Sequence, residues 1–229
     1  MANYYNANII KKFFDEQHKT DERAKNGEFM QVCISFKNGK MGMVASVSLP
    51  AFLTCPDICK TTCASDCYAA KIANLYATVR ESYARNFSIL KYDSARYWDT
   101  INATAKIVRF FRWHVSGDIV NDEYFGNMVR IARENPSTVF LTFTKRFSIV
   151  NHWIDENGNL PENLHVMFSA WEGLEPENPH GIPVTNVYEK NENLPDGWTP
   201  CNGKCENCFR NGVGCIGAKT GDIIGFKKH

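Results

Sequence analysis

Eight of the nine cysteines stand in two tight groups. The first runs Thr54-Cys55-Pro56-Asp57-Ile58-Cys59-Lys60-Thr61-Thr62-Cys63-Ala64-Ser65-Asp66-Cys67, with three residues between each cysteine and the next. Four thiolates this close repel one another unless a cation shares them, and a metal ion or cluster fixes them deprotonated. Zinc sites usually carry tight Cys-x2-Cys knuckles, and this group has none. The wider spacing suits ligands reaching different corners of an iron–sulfur cubane. The bland alternative is four unligated thiols. The second group is Cys201, Cys205, Cys208 and Cys215. Its Cys205–Cys208 pair is a Cys-x2-Cys knuckle, so zinc competes with iron–sulfur here, and a metal staple with no chemistry explains the pattern as well. The ninth, Cys33, lies in the strand-like run Met30–Phe36 and reads as a small buried hydrophobe.

Polar residues recur after successive apolar runs. Val108–Trp113 leads into His114-Val115-Ser116-Gly117-Asp118, where Asp118 can accept from an ammonium or hydroxyl. The competing reading is that Ser116 or Asp118 caps the following helix. Thr138–Phe143 leads into Thr144-Lys145-Arg146, two cations suited to a carboxylate or phosphate, or to an ordinary solvated turn. His165–Ser169 ends at a serine directed to the same mouth, with Trp171 as a packing anchor beyond it.

The elements that must position these groups alternate. Residues 8–25 read as a helix stopped by Asn26-Gly27. Phe29–Phe36 and Met43–Ser48 read as strands joined by Lys37-Asn38-Gly39-Lys40, a hairpin signal. The first cysteine group follows the second strand directly. Ile72, Leu75, Tyr76, Val79, Tyr83, Phe87 and Leu90 form one apolar stripe, predicting a single helix from about Tyr68 to Tyr92. A helix from Ser94 as its N-cap to about Ala105 follows. Strands at 108–113, 138–143, 165–169 and 183–188, separated by helices at 122–134 and 147–154, predict βαβ units and a parallel sheet. Right-handed crossovers then gather the loops after the strands on one edge, where ligands of α/β folds bind. Residues 191–229, rich in Gly, Asn and Cys, form a metal-binding segment after a main domain over 1–190.

A formal net charge of +1 gives no global pull toward nucleic acid or an anionic membrane. The start Met-Ala-Asn-Tyr-Tyr lacks the basic and apolar regions of a secretion signal, and no apolar run approaches the ~18 residues of a membrane helix. A cytoplasmic location is expected. In that compartment clustered cysteines bind metal or do redox chemistry rather than form disulfides.

Leu49-Pro50-Ala51 with Thr54-Cys55-Pro56, Cys67-Tyr68-Ala69, Arg112–Asp118 and Thr144-Lys145-Arg146 together resemble the bacteriophage gene product 88 family, which is similar to radical S-adenosylmethionine proteins. The resemblance implies a phage-encoded protein of the host cytoplasm, built as a partial (β/α) barrel. An N-terminal helix and hairpin would precede the barrel, and a cysteine-rich C-terminal flap would follow it. It implies a 4Fe–4S cluster on three of Cys55, Cys59, Cys63 and Cys67, with S-adenosylmethionine on the fourth iron. Ser116, Gly117 and Asp118 would receive the cofactor's amino group; Lys145, Arg146 and Ser169 would hold its carboxylate or an anionic substrate. Two departures count against an enzyme. The radical motif is Cys-x3-Cys-x2-Cys with an aromatic before the last cysteine, whereas here the spacing is x3 throughout and Tyr68 follows Cys67. Four ligating thiolates would also close the open iron. Cys201, Cys205 and Cys208 carry the x3, x2 spacing but lie outside a strand–helix frame, as an auxiliary site would. The runner-up is a non-catalytic protein with fully ligated centres for electron transfer, cluster storage or folding, and an electron carrier implies a redox partner.

Overall fold

The computed structural model describes residues 3–228. Helix α1, Ala7–Lys25, opens where Asn6 Oδ1 accepts from Ile9 N at 3.1 Å, and ends at Asn26 as expected. Strands β1 (Ile34–Ser35) and β2 (Ala45–Val47) pair antiparallel but are far shorter than the runs predicted. The turn is also wider. Asn38 Oδ1 accepts from Lys40 N and Met41 N, and Asn38 bridges to Gly42, so the Asn-Gly pair closes no two-residue turn and Met41 is buried instead. Cys33 lies just outside β1 and is only half-buried, against the expectation of a core position.

The single helix predicted over 68–92 is two. Helices α2 (Tyr68–Leu75) and α3 (Ala77–Tyr92) break at Tyr76, which is extended at φ −116°, ψ 105°. Arg80 Nη1 donates to the Ala73 carbonyl freed by the break, at 2.8 Å. The first residues of the stripe face solvent, with Leu75 62% and Tyr76 57% exposed. The break lets α2 follow the cysteine loop while α3 lies along α1, where buried Gln17 donates to Ser88 Oγ at 2.8 Å.

The remaining elements are α4 (Ser94–Ala105), β3 (Phe110–Trp113), α5 (Asp122–Glu134), β4 (Val139–Thr144), α6 (Phe147–Asn157), β5 (Leu164–Ser169), β6 (Val184–Tyr188), β7 (Trp198–Pro200), α7 (Cys205–Asn211) and β8 (Ile223–Lys227). The N-cap of α4 is Asp93, one residue before the serine expected there. One sheet holds all eight strands in the order β1-β2-β3-β4-β5-β6-β8-β7, and every pair except β1–β2 is parallel. Residues 198–200 and 223–227 thus join the same sheet as the rest.

Side chains alternate across this sheet. On one face Phe111, Trp113, Phe140, Val166 and Phe168 pack under α3–α6, with Tyr97, Trp98, Phe125, Met128 and Val150 closing the core. On the other, Phe110, Leu141, Met167 and Ile224 are covered by Met41, Phe209 of α7 and Cys215. Glu206 fastens α7 to the β1–β2 turn: its amide donates to Met41 O at 3.0 Å and its carboxylate accepts from Met43 N at 2.9 Å. Among the described residues no helix is long and apolar enough to cross a membrane.

Candidate functional site

Because β2 through β8 are parallel, their C-terminal ends share one edge. Both cysteine groups leave from it, Cys55 soon after β2 and Cys201 directly after β7. The loop carrying the first group is tied to its neighbours by backbone and side chain. Leu49 N donates to Ser116 O at 3.0 Å, Asp118 N to Thr54 Oγ1 at 3.3 Å, and Arg146 Nη2 to Thr54 O at 3.2 Å. Phe52 holds φ +68°, a conformation costing a non-glycine residue about 1–2 kcal/mol. Its ring is gripped by Phe13 of α1 at 5.1 Å and Tyr5 at 5.5 Å.

Three of the four thiols converge. The buried Cys59 thiol is in reach of both Cys55 and Cys63, and those contacts push its acidity well down. Cys63 goes the other way, to about 6, because Cys59 hydrogen-bonds to its thiolate and, more weakly, because the Lys145 ammonium is near. Cys67 is set apart. It is the N-cap of α2, its sulfur accepting from Ala70 N at 3.5 Å, and burial pushes it up to about 12. All nine cysteines are free thiols. Among the described residues no three His, Cys, Asp or Glu side chains already stand at the spacing of a bound metal ion.

The strand-end residues gather around this loop, though not all are free to bind. Asp118 is buried and engaged. Its Oδ1 accepts from Ile119 N at 2.7 Å and Thr144 Oγ1 at 2.6 Å, and its Oδ2 from Lys145 N at 2.8 Å. Burial raises its pKa, against these three donors. Helix α5 is capped by Asn121, so neither Ser116 nor Asp118 serves that purpose. Ser116 Oγ is buried with no partner. Gly117 stands at φ +80° against Thr54 and Leu49. Lys145 Nζ donates to Ser169 Oγ at 2.6 Å and lies 5.9 Å from the centre of the Trp171 ring, which also carries Lys228 at 5.7 Å. Lys228 in turn pairs with Asp66 of the cysteine loop at 3.3 Å and Glu189 at 2.9 Å.

His114 is the other strained residue, at φ +51°. Its Nε2 meets Tyr124 Oη at 2.9 Å, Tyr124 Oη meets Tyr97 Oη at 2.8 Å, and all three side chains are buried. Desolvation, aided by the charge of Arg112, pushes His114 down to about 3, so the imidazole is neutral, with Nδ1 unpartnered.

The second group closes on the opposite sheet face. Cys201 N donates to Gly225 O at 2.9 Å and Gly203 N to Cys201 Sγ at 3.4 Å. Burial pushes the Cys215 thiol up, and Cys201, Cys208 and Cys205 are near enough to push it further. Cys208 is raised by burial and then by Cys205 and Cys201. Arg112 Nη1 donates to Cys205 Sγ at 3.5 Å. The Tyr68 hydroxyl donates to Val115 O at 2.6 Å and senses both Cys67 and Cys205, so the two groups are neighbours. Two cavities lie elsewhere: one of about 310 Å³ beside Trp98 and Tyr124, one of about 250 Å³ beside Phe36 and Arg210.

With this geometry established, comparison with known proteins gives one decisive match: the profile of the family described as Gene product 88 covers residues 9–224. The chain belongs to the gene product 88 family. The gene 88 protein of Mycobacterium phage L5 is 26% identical over 167 residues, covering 66% of this chain and 64% of the relative. The chain therefore spans just under two thirds of that relative's length. No solved structure matches. In this gene product 88 chain the family match includes both cysteine groups and every strand-end residue above. Arg112, Tyr97 and Tyr124 are the site neighbours that the sequence pattern did not reveal. Arg112 had a signal: it is the one charge inside the buried strand Phe110-Phe111-Arg112-Trp113. The tyrosines had none, since aromatic residues on helix faces read as core.

Proposed function

We propose that this gene product 88 protein is a phage-encoded iron–sulfur protein of radical S-adenosylmethionine-like architecture that modifies a substrate in the host cytoplasm. One observation carries the reading: the Cys55, Cys59 and Cys63 thiols converge beside Lys145 at the C-terminal edge of a parallel sheet. The donor set fits an all-sulfur centre. Zinc–sulfur bonds of about 2.3 Å would draw tetrahedral sulfurs within about 3.8 Å of each other. Hydrogen-bond contact among three thiols is compatible with either centre, and the lack of a Cys-x2-Cys knuckle favours the cluster over zinc. The sequential order of β2 to β6, with α4–α6 on one face, is what a partial (β/α) barrel requires.

Cys55, Cys59 and Cys63 would hold a 4Fe–4S cluster, and Cys67, occupied as a helix cap, would be the thiol that leaves one iron open. When bound, such a cluster supplies one electron to S-adenosylmethionine. The chain's own residues would then orient that cofactor. Ser116 Oγ is a free hydroxyl beside the loop, Gly117 lets the backbone approach, and Lys145 with Ser169 offers a cation and a hydroxyl to a carboxylate. In this reading Asp118 chiefly holds the Lys145 amide and Thr144 in place, and Arg146 braces the loop through Thr54. Cys201, Cys205, Cys208 and Cys215 would hold a second cluster, or zinc. The neighbourhood of Cys67 and Cys205 around Tyr68 favours a second reading, a pair of fully ligated centres that pass electrons to a redox partner.

Anaerobic purification with iron, sulfide and zinc analysis tests the metal. Electron paramagnetic resonance of the reduced protein, with and without S-adenosylmethionine, tests the enzyme. Iron with sulfide and a spectrum altered by S-adenosylmethionine support the proposal. Iron with an unchanged spectrum leaves the electron carrier, and a protein holding zinc alone, or no metal, refutes both.

A further inference from the structure

Arg112 is a partly buried cation without a carboxylate. It projects from β3 on the sheet face that α7 covers, in register with Leu141 of β4. Its guanidinium lies 4.7 Å from the centre of the Phe143 ring, and Nη1 donates to Cys205 Sγ at 3.5 Å. Among the described residues it makes no ion pair with Asp or Glu, and its Nε is buried with no partner. A guanidinium drawn from water needs a negative partner, and the anions within reach are the thiolates of the C-terminal group. Four thiolates around one centre carry excess negative charge, which a hydrogen-bonding cation at a ligand sulfur relieves. The Arg112 charge also stands near Cys215, the deepest thiol of the set.

We propose that Arg112 is the outer-sphere cation of the C-terminal cysteine centre, donating a hydrogen bond to the Cys205 sulfur where it binds metal. This rests on the reading that those four thiols bind metal, and it holds for iron–sulfur and zinc alike. Arg112 is a positioning residue: it acts on the centre through Cys205 and the field around it.

The test uses the full chain, purified without oxygen, as wild type and as Arg112→Gln, Arg112→Met and Arg112→Lys. Each is incubated with excess chelator and iodoacetamide, and the alkylation rate of every cysteine is read by mass spectrometry. The expected result is that Cys201, Cys205 and Cys208 become open about 10- to 100-fold faster in the Gln and Met variants. Cys55 and Cys59 keep the wild-type rate, and Lys, which restores charge, recovers most of the protection. The Met variant keeps an apolar stem on Phe143, so it separates lost packing from lost charge. Unchanged protection in Arg112→Gln overturns this proposal while leaving metal binding intact. So does equal acceleration at both cysteine groups, which would signal general loosening. Wild-type protein whose C-terminal cysteines are alkylated at once and hold no metal overturns the metal reading together with it.

Discussion

Gly117 and Thr54 stand so close that a β-carbon on the glycine would lie 2.5 Å from Thr54 Oγ1. The same carbon would meet Leu49 Cβ and its carbonyl oxygen at 2.9 Å. The turn after β3 therefore fits against the loop that carries Cys55, with no room for a side chain.

Gly117→Ala should cost about 3 kcal/mol, from left-handed strain of about 1–2 kcal/mol plus the displacement of Thr54. Gly27→Ala is the control. Gly27, at the end of α1, has a similar φ of +74° and nothing within 4 Å, so it bears the strain alone. Urea unfolding of both variants should give the larger loss at Gly117, and metal per chain should fall only there. Equal losses would mean the close approach to the cysteine loop has no energetic weight.

His114 makes stability depend on pH with a definite sign. Its folded pKa is about 3 and its unfolded value about 6.5. Between those values the unfolded chain holds a proton that the folded chain lacks, so stability falls as pH drops below about 6.5. Asp118, raised by burial, works in the opposite direction, but it is common to wild type and variant. His114→Asn keeps a residue that tolerates positive φ. The wild type should lose about 2 kcal/mol relative to that variant between pH 8 and pH 5 in urea unfolding. A pH-independent difference would show that the imidazole is not held neutral.

Tyr124 supplies one hydroxyl to two buried partners, Tyr97 Oη and His114 Nε2. Tyr124→Phe should cost about 2–4 kcal/mol, since each orphaned buried group costs about 1–3 kcal/mol. Adding Tyr97→Phe removes one orphan and should recover part of the loss. A double variant whose losses simply add in thermal or urea unfolding would argue that the hydroxyls are uncoupled.

Two cysteines separate ligation from packing. Cys33 is half-buried beside β1, its thiol turned to the Gln31 carbonyl at 3.8 Å. Cys33→Ser should leave metal content unchanged. Cys59→Ser removes the central thiol of the converging three and should reduce iron by about one centre's share. Equal effects from both substitutions would remove the distinction on which the candidate site is built.

Long periodic elements were legible in the sequence because one local signal and one buried face agreed. Helix α5 has the bounds its apolar spacing predicts, and α4 is off by a single cap residue. The parallel sheet followed from alternating elements, and with it the edge that gathers Ser116, Lys145 and Ser169. The break at Tyr76 was not legible, because the apolar stripe runs straight through it and only the tertiary path of the cysteine loop requires the turn. Strands β7 and β8 and helix α7 were missed for another reason. They are three to seven residues long, set among Gly and Asn, and owe their order to the sheet face they cover rather than to local propensity. The cysteine groups were evident from spacing, but that Asp118 is occupied by three internal donors and that Arg112 faces Cys205 are facts of packing alone.

Strand β8 lies between β6 and β7, although β7 precedes it along the chain. During synthesis residues 198–200 must wait, unpaired, until residues 223–227 emerge from the ribosome and slot in beside them. Cys201, anchored through Gly225, waits with them. The amino-terminal cysteine loop has its supporting strands long before this, so the two cysteine sets would mature one after the other, in the order in which they are translated.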